Sequence, residues 1–326
     1  MRYTALLNLL AIVPVLHAAE TPSPALLVLN KDESSLAIID PASNKVVGRV
    51  PTGQAPHEVT VSSDAKLAFA SNYGAQQPGN SISVIDLVSQ KELRRVDLGP
   101  LGRPHGLFFA DGKLYFTSEA SKNIGRYDPA GNKVDWLLGT GQNGTHMVLI
   151  SKDLNTIFTA NIGSDSISIM ERASGANGWN GTVIPVGKGP EAIDLSPNGK
   201  EFWTAHSRDG GVSVIDVGSK KIIQTLNVNT KRSNRLKFTP DGKTVLISDL
   251  GGGELVVVDA AARKEIKRIP VGNNPEGILI VPDGSRAYVA ISGDKNLAVI
   301  NLKTLQITDR VSTGGSPDGM AWAERK

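Results

Sequence analysis

The stretch from residue 187 to residue 216 reads GKGPEAIDLSPNGKEFWTAHSRDGGVSVID. It contains three short apolar runs separated by turns that are rich in Gly, Pro, Asn and Asp. A Gly-x-x-Pro turn, with Gly187 and Pro190, precedes the first run, and Asp216 closes the third. Short runs of alternating apolar and polar residues between such turns indicate consecutive β-strands.

The same unit recurs seven times along the chain. The residue that ends the Gly-x-x-Pro turn recurs at spacings of 41–48 residues, at Pro56, Pro104, Thr145, Pro190, Ser233, Pro275 and Pro317. That length suits four short strands and their turns, which is one blade of a β-propeller. Because a blade cannot bury both of its faces alone, the repeats predict blades stacked in a closed ring.

The first and last repeats are incomplete and complement each other. Residues 26–30, 36–40 and 45–50 predict three strands with no inner strand before them, whereas residues 317–323 supply an inner strand with none after it. Pairing the two segments would remove an exposed sheet edge. The sequence therefore predicts an all-β, seven-bladed β-propeller with four strands per blade, in which the N- and C-terminal segments share the closing blade.

The composition is that of a soluble globular protein, with 40% hydrophobic and 21% charged residues and a formal net charge of +3. This charge does not demand a nucleic-acid partner. One repeat period covers residues 20–326, so we expect a single domain there. The chain has no cysteine, which excludes disulfides, thiolate metal sites and cysteine nucleophiles.

Residues 1–19 have the pattern of a secretory signal peptide. Arg2 is followed by a short apolar run over residues 5–16, and Ala18 and Ala19 are small residues suited to cleavage. The alternatives are a buried first strand or an uncleaved anchor, and the cleavage site is not fixed by the pattern. We expect a periplasmic or secreted protein with no transmembrane segment in its mature chain.

The repeats resemble the YVTN β-propeller repeat family of bacterial and archaeal surface and periplasmic proteins. The resemblance rests on GNNPEGILIVPDGSRAYVA at 272–290, GKGPEAIDLSPNGKEFWTAH at 187–206 and FTPDGKTVLISD at 238–249. It implies the fold more specifically than the function, since such propellers serve as scaffolds, ligand or single-stranded-DNA binders, lactonases and lyases. Two repeats depart from the pattern, with Thr145 and Ser233 in place of proline.

Two sets of residues are predicted to meet around the propeller axis. The first ring is the residue after the turn in each repeat: His57, His105, His146, Glu191, Asn234, Glu276 and Asp318. The second ring is the last residue of the second run in each repeat: Asn30, Asn72, Ser118, Asn161, His206, Asp249 and Ile291. All four histidines that follow residue 19 belong to these rings.

These side chains are candidate ligands for a metal or a small molecule. We predict that the first ring and His206 bind a ligand, and that His57, His105, His146 and Glu191 hold a divalent metal such as zinc, copper, nickel or iron. The alternative for both rings is a water-lined channel whose polar residues make local turn bonds. No catalytic motif is evident, so the sequence leaves open whether the protein is an enzyme.

Two functional hypotheses follow from the rings. The first is an extracytoplasmic propeller that binds a small-molecule or protein ligand at the mouth of its channel. The second is a metal-assisted lyase or lactonase, with Glu276 and Asp318 as candidate general bases. Binding of single-stranded nucleic acid is disfavoured, because stacking aromatic residues and a broad basic surface are not evident in the sequence.

Overall fold

The computed structural model describes residues 20–175 and 178–325, so the predicted signal peptide lies outside the described residues. The described residues form seven antiparallel sheets of four strands each. They contain no α-helix and one short 3-10 helix at Ser292–Asp294. The prediction of a seven-bladed propeller is confirmed.

Each blade runs from an inner strand beside the channel to an outer strand at the periphery. In blades 1 to 4 the strands, from inner to outer, are β28 (Pro317–Ala323), β1 (Ala25–Asn30), β2 (Ser35–Asp40) and β3 (Lys45–Pro51); β4 (Pro56–Val61), β5 (Leu67–Asn72), β6 (Ser81–Asp86) and β7 (Lys91–Asp97); β8 (Pro104–Ala110), β9 (Lys113–Ser118), β10 (Asn123–Asp128) and β11 (Lys133–Gly139); β12 (Thr145–Ile150), β13 (Thr156–Asn161), β14 (Ser166–Arg172) and β15 (Trp179–Pro185). In blades 5 to 7 they are β16 (Pro190–Leu195), β17 (Glu201–His206), β18 (Gly211–Asp216) and β19 (Lys221–Asn227); β20 (Ser233–Phe238), β21 (Thr244–Asp249), β22 (Glu254–Asp259) and β23 (Lys264–Pro270); β24 (Pro275–Ile280), β25 (Arg286–Ile291), β26 (Asn296–Asn301) and β27 (Gln306–Ser312).

Blade 1 closes the ring. Its inner strand β28 comes from the C-terminal end and pairs antiparallel with β1, where Ala323 faces Ala25 and Trp322 faces Leu26. The inner strands contact one another in succession around the ring, including β28 with β4. The predicted sharing of the closing blade is therefore confirmed.

The hydrophobic core lies between blades. Phe158 of blade 4 stacks on Phe202 of blade 5, with ring centroids 5.1 Å apart. Trp203 of blade 5 meets Phe238 of blade 6 edge to face. The second and third strands of each blade are buried on both faces, whereas outer strands such as β7 have half-exposed and exposed residues in alternation. Stacking of the blades thus places apolar surface on both sides of each sheet.

The described residues contain no helix that is long and apolar enough to span a membrane.

Candidate functional site

A cavity of about 470 Å³ opens at the end of the channel where the inner strands begin. All seven residues of the first ring line it, one from each blade: His57, His105, His146, Glu191, Asn234, Glu276 and Asp318. The repeat period therefore brings together residues that are up to 261 positions apart in the sequence, from His57 to Asp318.

A β-bulge in every inner strand places these side chains. In blade 4, Thr145 pairs with Asn161 and Met147 pairs with the adjacent Ala160, so that His146 is an extra, unpaired residue. Equivalent register shifts include the first-ring residue in the other six blades. A bulge bends the strand and turns the extra side chain away from the regular alternation. Here the extra side chain faces the cavity.

Glycines allow neighbouring inner strands to come close at some first-ring positions. Gly106 follows His105, and a Cβ at this glycine would lie 2.7 Å from the backbone oxygen of His146. Gly277 and Gly319 follow Glu276 and Asp318 and face the next inner strand in the same way. The close approach of these backbones brings the first-ring side chains of adjacent blades into contact.

Buried hydroxyl groups join the same strands. Thr117 accepts a hydrogen bond from the Gly106 N–H (2.8 Å) and donates one to the carbonyl of His146 (2.7 Å). Ser248 likewise accepts from the Arg235 N–H and donates to the carbonyl of Glu276. Each hydroxyl therefore links one blade to the next beside the first ring.

The three histidines of the first ring form a continuous arc. The ring centroids of His57 and His105 are 5.3 Å apart, and His105 stacks on His146 at 3.8 Å. Nδ1 of His57 donates to the carbonyl of Ala55 (2.9 Å), which leaves Nε2 without a proton in the neutral ring. Burial lowers the pKa of His57, and burial together with the other two histidines lowers the pKa of His105 well below its ordinary value.

Glu119 joins this arc from the end of β9. One of its oxygens accepts a hydrogen bond from Nδ1 of His146, and the other accepts one from the Tyr73 hydroxyl (2.6 Å). Burial opposes protonation of His146, but the hydrogen bond and charge of Glu119 outweigh it and raise the pKa of His146. Burial and the Glu119 charge raise the pKa of Tyr73 to about 12.

His105, Glu119 and His146 form a group that could hold a metal ion. Their ligand atoms all lie within 4.8 Å of one another. The group differs from the set expected from the sequence, since Glu119 takes the place of Glu191 and His57 is not a member. Glu191 instead accepts a hydrogen bond from the Asn234 amide of the next blade (2.7 Å).

The opposite arc of the cavity contains an ionic cluster. Nζ of Lys31 contacts the carboxylate of Glu276 and lies 3.3 Å from that of Asp318. Burial and the negative charge of Asp318 raise the pKa of Glu276 to about 7. Burial also opposes ionisation of Asp318, but Lys31 and His57 outweigh it and lower the pKa of Asp318.

Arg235 spans the channel beneath the first ring. It is 5% exposed and comes from blade 6, yet its guanidinium contacts Glu58 of blade 2 and lies 3.4 Å from Sδ of Met147 in blade 4. It also lies 3.8 Å from Asp318 of blade 1. A side chain that reaches three non-adjacent blades must cross the axis.

The second ring is placed differently from the first. The structure does not bring His206 into the cavity, because its ring is buried in blade 5 with Nδ1 bound to Asp209 (2.9 Å) and Nε2 to Ser213 (3.0 Å). Asn72 likewise binds the Gly53 N–H and the hydroxyl of Ser83. These contacts favour the alternative of local structural bonds for the second ring.

Five cavity residues missed by the sequence reasoning share one feature. Each immediately follows a residue of the second ring: Lys31, Tyr73, Glu119, Ile162 and Leu250. Successive side chains of a strand point in opposite directions, so the residue one position further on faces the cavity. The repeat therefore contains the signal for these residues, one position after the second ring. We call these five residues the rim.

Comparison with known proteins supports the fold. A family model described as the cytochrome D1 heme domain matches residues 142–285, which are 144 of the 326 residues. No curated protein gives a significant sequence match. The resemblance to the YVTN family stays a prediction.

Several solved structures superpose over nearly their whole length. The periplasmic gluconolactonase of Pseudomonas aeruginosa does so with a TM-score of 0.75 at 18% identity, covering 94% of this chain and 100% of that chain. A candidate 6-phosphogluconolactonase from Bacteroides uniformis gives 0.75 at 16% identity, with 92% and 99% covered. Hydrazine synthase of Kuenenia stuttgartiensis gives 0.74 at 19% identity, with 90% and 99% covered. At these identities the likeness shows the fold alone.

Proposed function

We propose that the cavity binds a small, hydroxyl-rich molecule of the sugar-acid or sugar-lactone class. The observation that carries the proposal is the convergence of all seven first-ring side chains on one cavity. Seven bulges, one per blade, turn polar side chains toward a single space, and its volume is within the range of small-molecule sites. Hydrogen-bonding groups arranged around the ligand in this way suit a molecule with a hydroxyl on most of its carbons.

The chemistry of the lining narrows the ligand class. Four carboxylates can accept hydrogen bonds from hydroxyl groups: Glu119, Glu191, Glu276 and Asp318. His105 and the exposed Arg232 can donate hydrogen bonds to a carbonyl or carboxylate oxygen, and Nε2 of His57 can accept one from a hydroxyl group. Among the described residues that line the cavity, Ile162 and Leu250 are the aliphatic ones. A polar ligand is therefore favoured over an apolar one, and the gluconolactonase named above offers a precedent in the same fold.

Lactone hydrolysis is the second candidate, and the state of Glu276 favours it. A carboxyl group with a pKa of about 7 can accept a proton from water near neutral pH. The water oxygen would attack the carbonyl carbon of the lactone, the ring C–O bond would break, and the departing oxygen would take up the proton to give the hydroxy acid. Neither binding nor this reaction requires a metal.

Calorimetric titration of metal-free protein with an aldonate and an open-chain polyol tests the binding proposal. We expect His57→Gln and Glu276→Gln to weaken binding at least about tenfold, because each removes a group facing the ligand. Glu92→Gln, on the outer strand β7, is the matched control and should bind like the wild type. If neither compound gives heat nor raises the melting temperature, the proposal is wrong.

Lactone hydrolysis is measured separately, as acid release above the spontaneous rate in a pH-stat. Glu276→Gln should abolish the enzymatic part and Glu92→Gln should retain it. If the wild-type protein binds the ligand but does not hydrolyse the lactone, the proposal of an enzyme is wrong and the proposal of a binding protein remains.

A haem is not proposed for this cavity, although the matching family model is named for a haem domain. A flat, largely apolar macrocycle needs apolar walls, whereas most described residues that line this cavity are polar or charged. The Lys31–Glu276–Asp318 cluster would also have to lie against the ring. The residues present do not fit the group.

We infer that the protein is exported to the periplasm or outside the cell. The pattern of residues 1–19 supports this, and one structural relative is described as periplasmic. Sequencing the N-terminus of protein from its native host is the test. A new N-terminus near Ala18 or Ala19 is expected, and an intact Met1 would contradict export by cleavage.

A further inference from the structure

We propose that His105, Glu119 and His146 bind one divalent first-row transition metal, for which Zn²⁺ is the test ion. This inference goes beyond ligand binding in the cavity and does not depend on it. Two imidazoles and one carboxylate are donors that zinc, cobalt, nickel and copper accept. The site would keep at least one coordination position open toward the cavity.

The donor atoms are nearly close enough already. Donors of a tetrahedral zinc site at 2.0–2.1 Å from the ion lie roughly 3.4 Å from one another. The ligand atoms of the three residues lie within 4.8 Å. Rotation of the side chains has to close that difference, because His105 and His146 belong to β8 and β12 and Glu119 directly follows β9.

An unused nitrogen in the group supplies an independent observation. His105 is 5% exposed, and its Nδ1 has no hydrogen-bond partner within residues 20–175 and 178–325. A buried polar atom without a partner is costly, and such atoms often point to an ion or water that binds there. A metal would take up the lone pair of this nitrogen.

The surroundings hold two of the three groups in place. The Tyr73 hydroxyl binds one oxygen of Glu119 (2.6 Å) and leaves the other oxygen directed at His146. Thr117 fixes the backbone of His146 through its carbonyl. Hydrogen bonds of this kind orient metal ligands and are a regular part of metal sites.

The charge of the cavity favours a cation. Five carboxylates lie in or just beneath it, namely Glu58, Glu119, Glu191, Glu276 and Asp318, against the three cationic side chains Lys31, Arg232 and Arg235. The cations Lys31 and Arg235 are already paired with Glu276, Asp318 and Glu58. Glu119 and Glu191 therefore remain on the histidine side without a lysine or arginine partner among the described residues.

The chain offers a matched pair of controls in the same cavity. His57 and Glu191 are a histidine and a glutamate of the first ring, and the sequence alone assigned both to the metal. In the structure they are outside the group, because Nδ1 of His57 donates to Ala55 and Glu191 accepts from Asn234. Substituting these residues changes the cavity chemistry to the same extent without removing a proposed ligand.

The test is calorimetric titration of Zn²⁺ into untagged, metal-free protein, with metal analysis after dialysis. The wild type should bind one ion per chain, and His105→Ala and Glu119→Gln should each weaken binding at least about 100-fold. Tyr73→Phe should weaken it about tenfold. His57→Ala and Glu191→Gln should stay within about threefold of the wild type.

Circular dichroism checks that each variant is folded, and if His105→Ala does not fold, Glu119→Gln decides. With Cu²⁺ as a second probe, electron paramagnetic resonance should show coupling to two imidazole nitrogens. Unchanged zinc binding in Glu119→Gln, no binding by the wild type, or a loss confined to His57→Ala and Glu191→Gln would each overturn the proposal. None of these results affects the proposal of ligand binding, because the aldonate titration uses metal-free protein.

Discussion

The first and second rings differ in environment although they have the same period and face each other across the same strand pairs. In blade 2, the turn residue Pro56, which precedes His57, pairs directly with Asn72 of the second ring. The His57 side chain nevertheless lines the cavity, whereas the Asn72 side chain is buried among bonds to Gly53 and Ser83. Equal spacing and equal polarity therefore do not imply equal roles.

The difference comes from the backbone rather than from the side chains. First-ring residues lie in bulges, which release them from the regular ladder and turn them toward the axis. Second-ring residues stay in the ladder, so alternation directs them into the blade and sends the following rim residue into the cavity. A polar side chain in the blade must find partners, and it finds them in the neighbouring turns and in the next strand, as Asn72 does with Gly53 and Ser83.

Removing β28 should disturb both rings more than any other change, because the closure of the propeller depends on this strand. Deleting Pro317 to Lys326 removes β28 and leaves the inner edge of β1 unpaired next to a core that includes Leu26 and Val28. We expect the melting temperature to fall by roughly 10 °C or more, because the ring can no longer close.

Circular dichroism during heating measures this change. Deleting residues 324–326 alone leaves β28 intact and is the control. Equal melting temperatures for the long deletion and the full chain would refute closure by β28.

A smaller loss of stability is expected from a substitution at the contact between the inner strands β8 and β12, which carry His105 and His146. In Gly106→Ala the new Cβ would lie 2.7 Å from the backbone oxygen and 2.8 Å from the following Cα of β12. Backbone atoms cannot yield easily, so we expect a loss of about 3 kcal/mol in the free energy of unfolding.

Urea denaturation measures this loss. Gly139→Ala is the matched control, because the nearest atom to its Cβ would be 3.5 Å away. We expect it to change stability by less than about 0.5 kcal/mol. Equal stability of the two variants would show that β8 and β12 can move apart at the first ring without cost.

Substitutions of Asp249 and Asn234 allow the contribution of the two rings to stability to be compared within blade 6. Asp249 of the second ring is 1% exposed and accepts hydrogen bonds from the backbone N–H groups of Lys231, Arg232 and Gly252. We expect Asp249→Ala to cost about 2 kcal/mol, since these donors would lose their acceptor inside the protein. Asn234→Ala, in the first ring, should cost about 1 kcal/mol or less, because solvent can enter the cavity. A larger loss of stability, by chemical denaturation, for Asn234→Ala would reverse the roles assigned to the rings.

Replacing Glu276 should change how the stability of the protein depends on pH. Glu276 faces Lys31 and Asp318, and its pKa rises from an ordinary 4.5 to about 7. The folded protein keeps this proton between pH 4.5 and 7 where the unfolded chain releases it, so this group lowers stability as pH rises through that window. Glu276→Gln cannot release a proton, and its stability relative to the wild type should increase by about 1 kcal/mol for each pH unit within the window. Denaturation curves at several pH values measure this difference, and parallel profiles would contradict it.

The sequence was sufficient for the fold because five of the seven repeats keep the turn proline and every third run ends in Asp, Glu or Asn. It also identified the first ring, since a residue at the same place in every blade must meet its equivalents at the axis. It did not identify Glu119, which lies one position beyond Ser118, because the polar character of the second ring does not show which way its side chains point. His206 is polar like the rest of this ring, and its bonds go to Asp209 and Ser213, which are both nearby in the sequence.

Contacts across the axis could not be predicted from the period. Arg235 and Glu58 are 177 residues apart and belong to blades 6 and 2. The period gives the angle of each residue around the ring, but not how far its side chain reaches toward the centre. The same limit hid Lys31, whose contacts with Glu276 and Asp318 depend on the length of its side chain.

Arg235 also affects how a local opening of one blade spreads through the propeller. Blades of a propeller ordinarily touch only their two neighbours, so an opening in one blade spreads stepwise. Arg235 links blade 6 directly to three blades that are not its neighbours, through Glu58 in blade 2, Met147 in blade 4 and Asp318 in blade 1. Local openings on opposite sides of the propeller are thereby coupled. Amide hydrogens in β4 and β20 should therefore exchange with solvent at the same rate rather than independently in each blade.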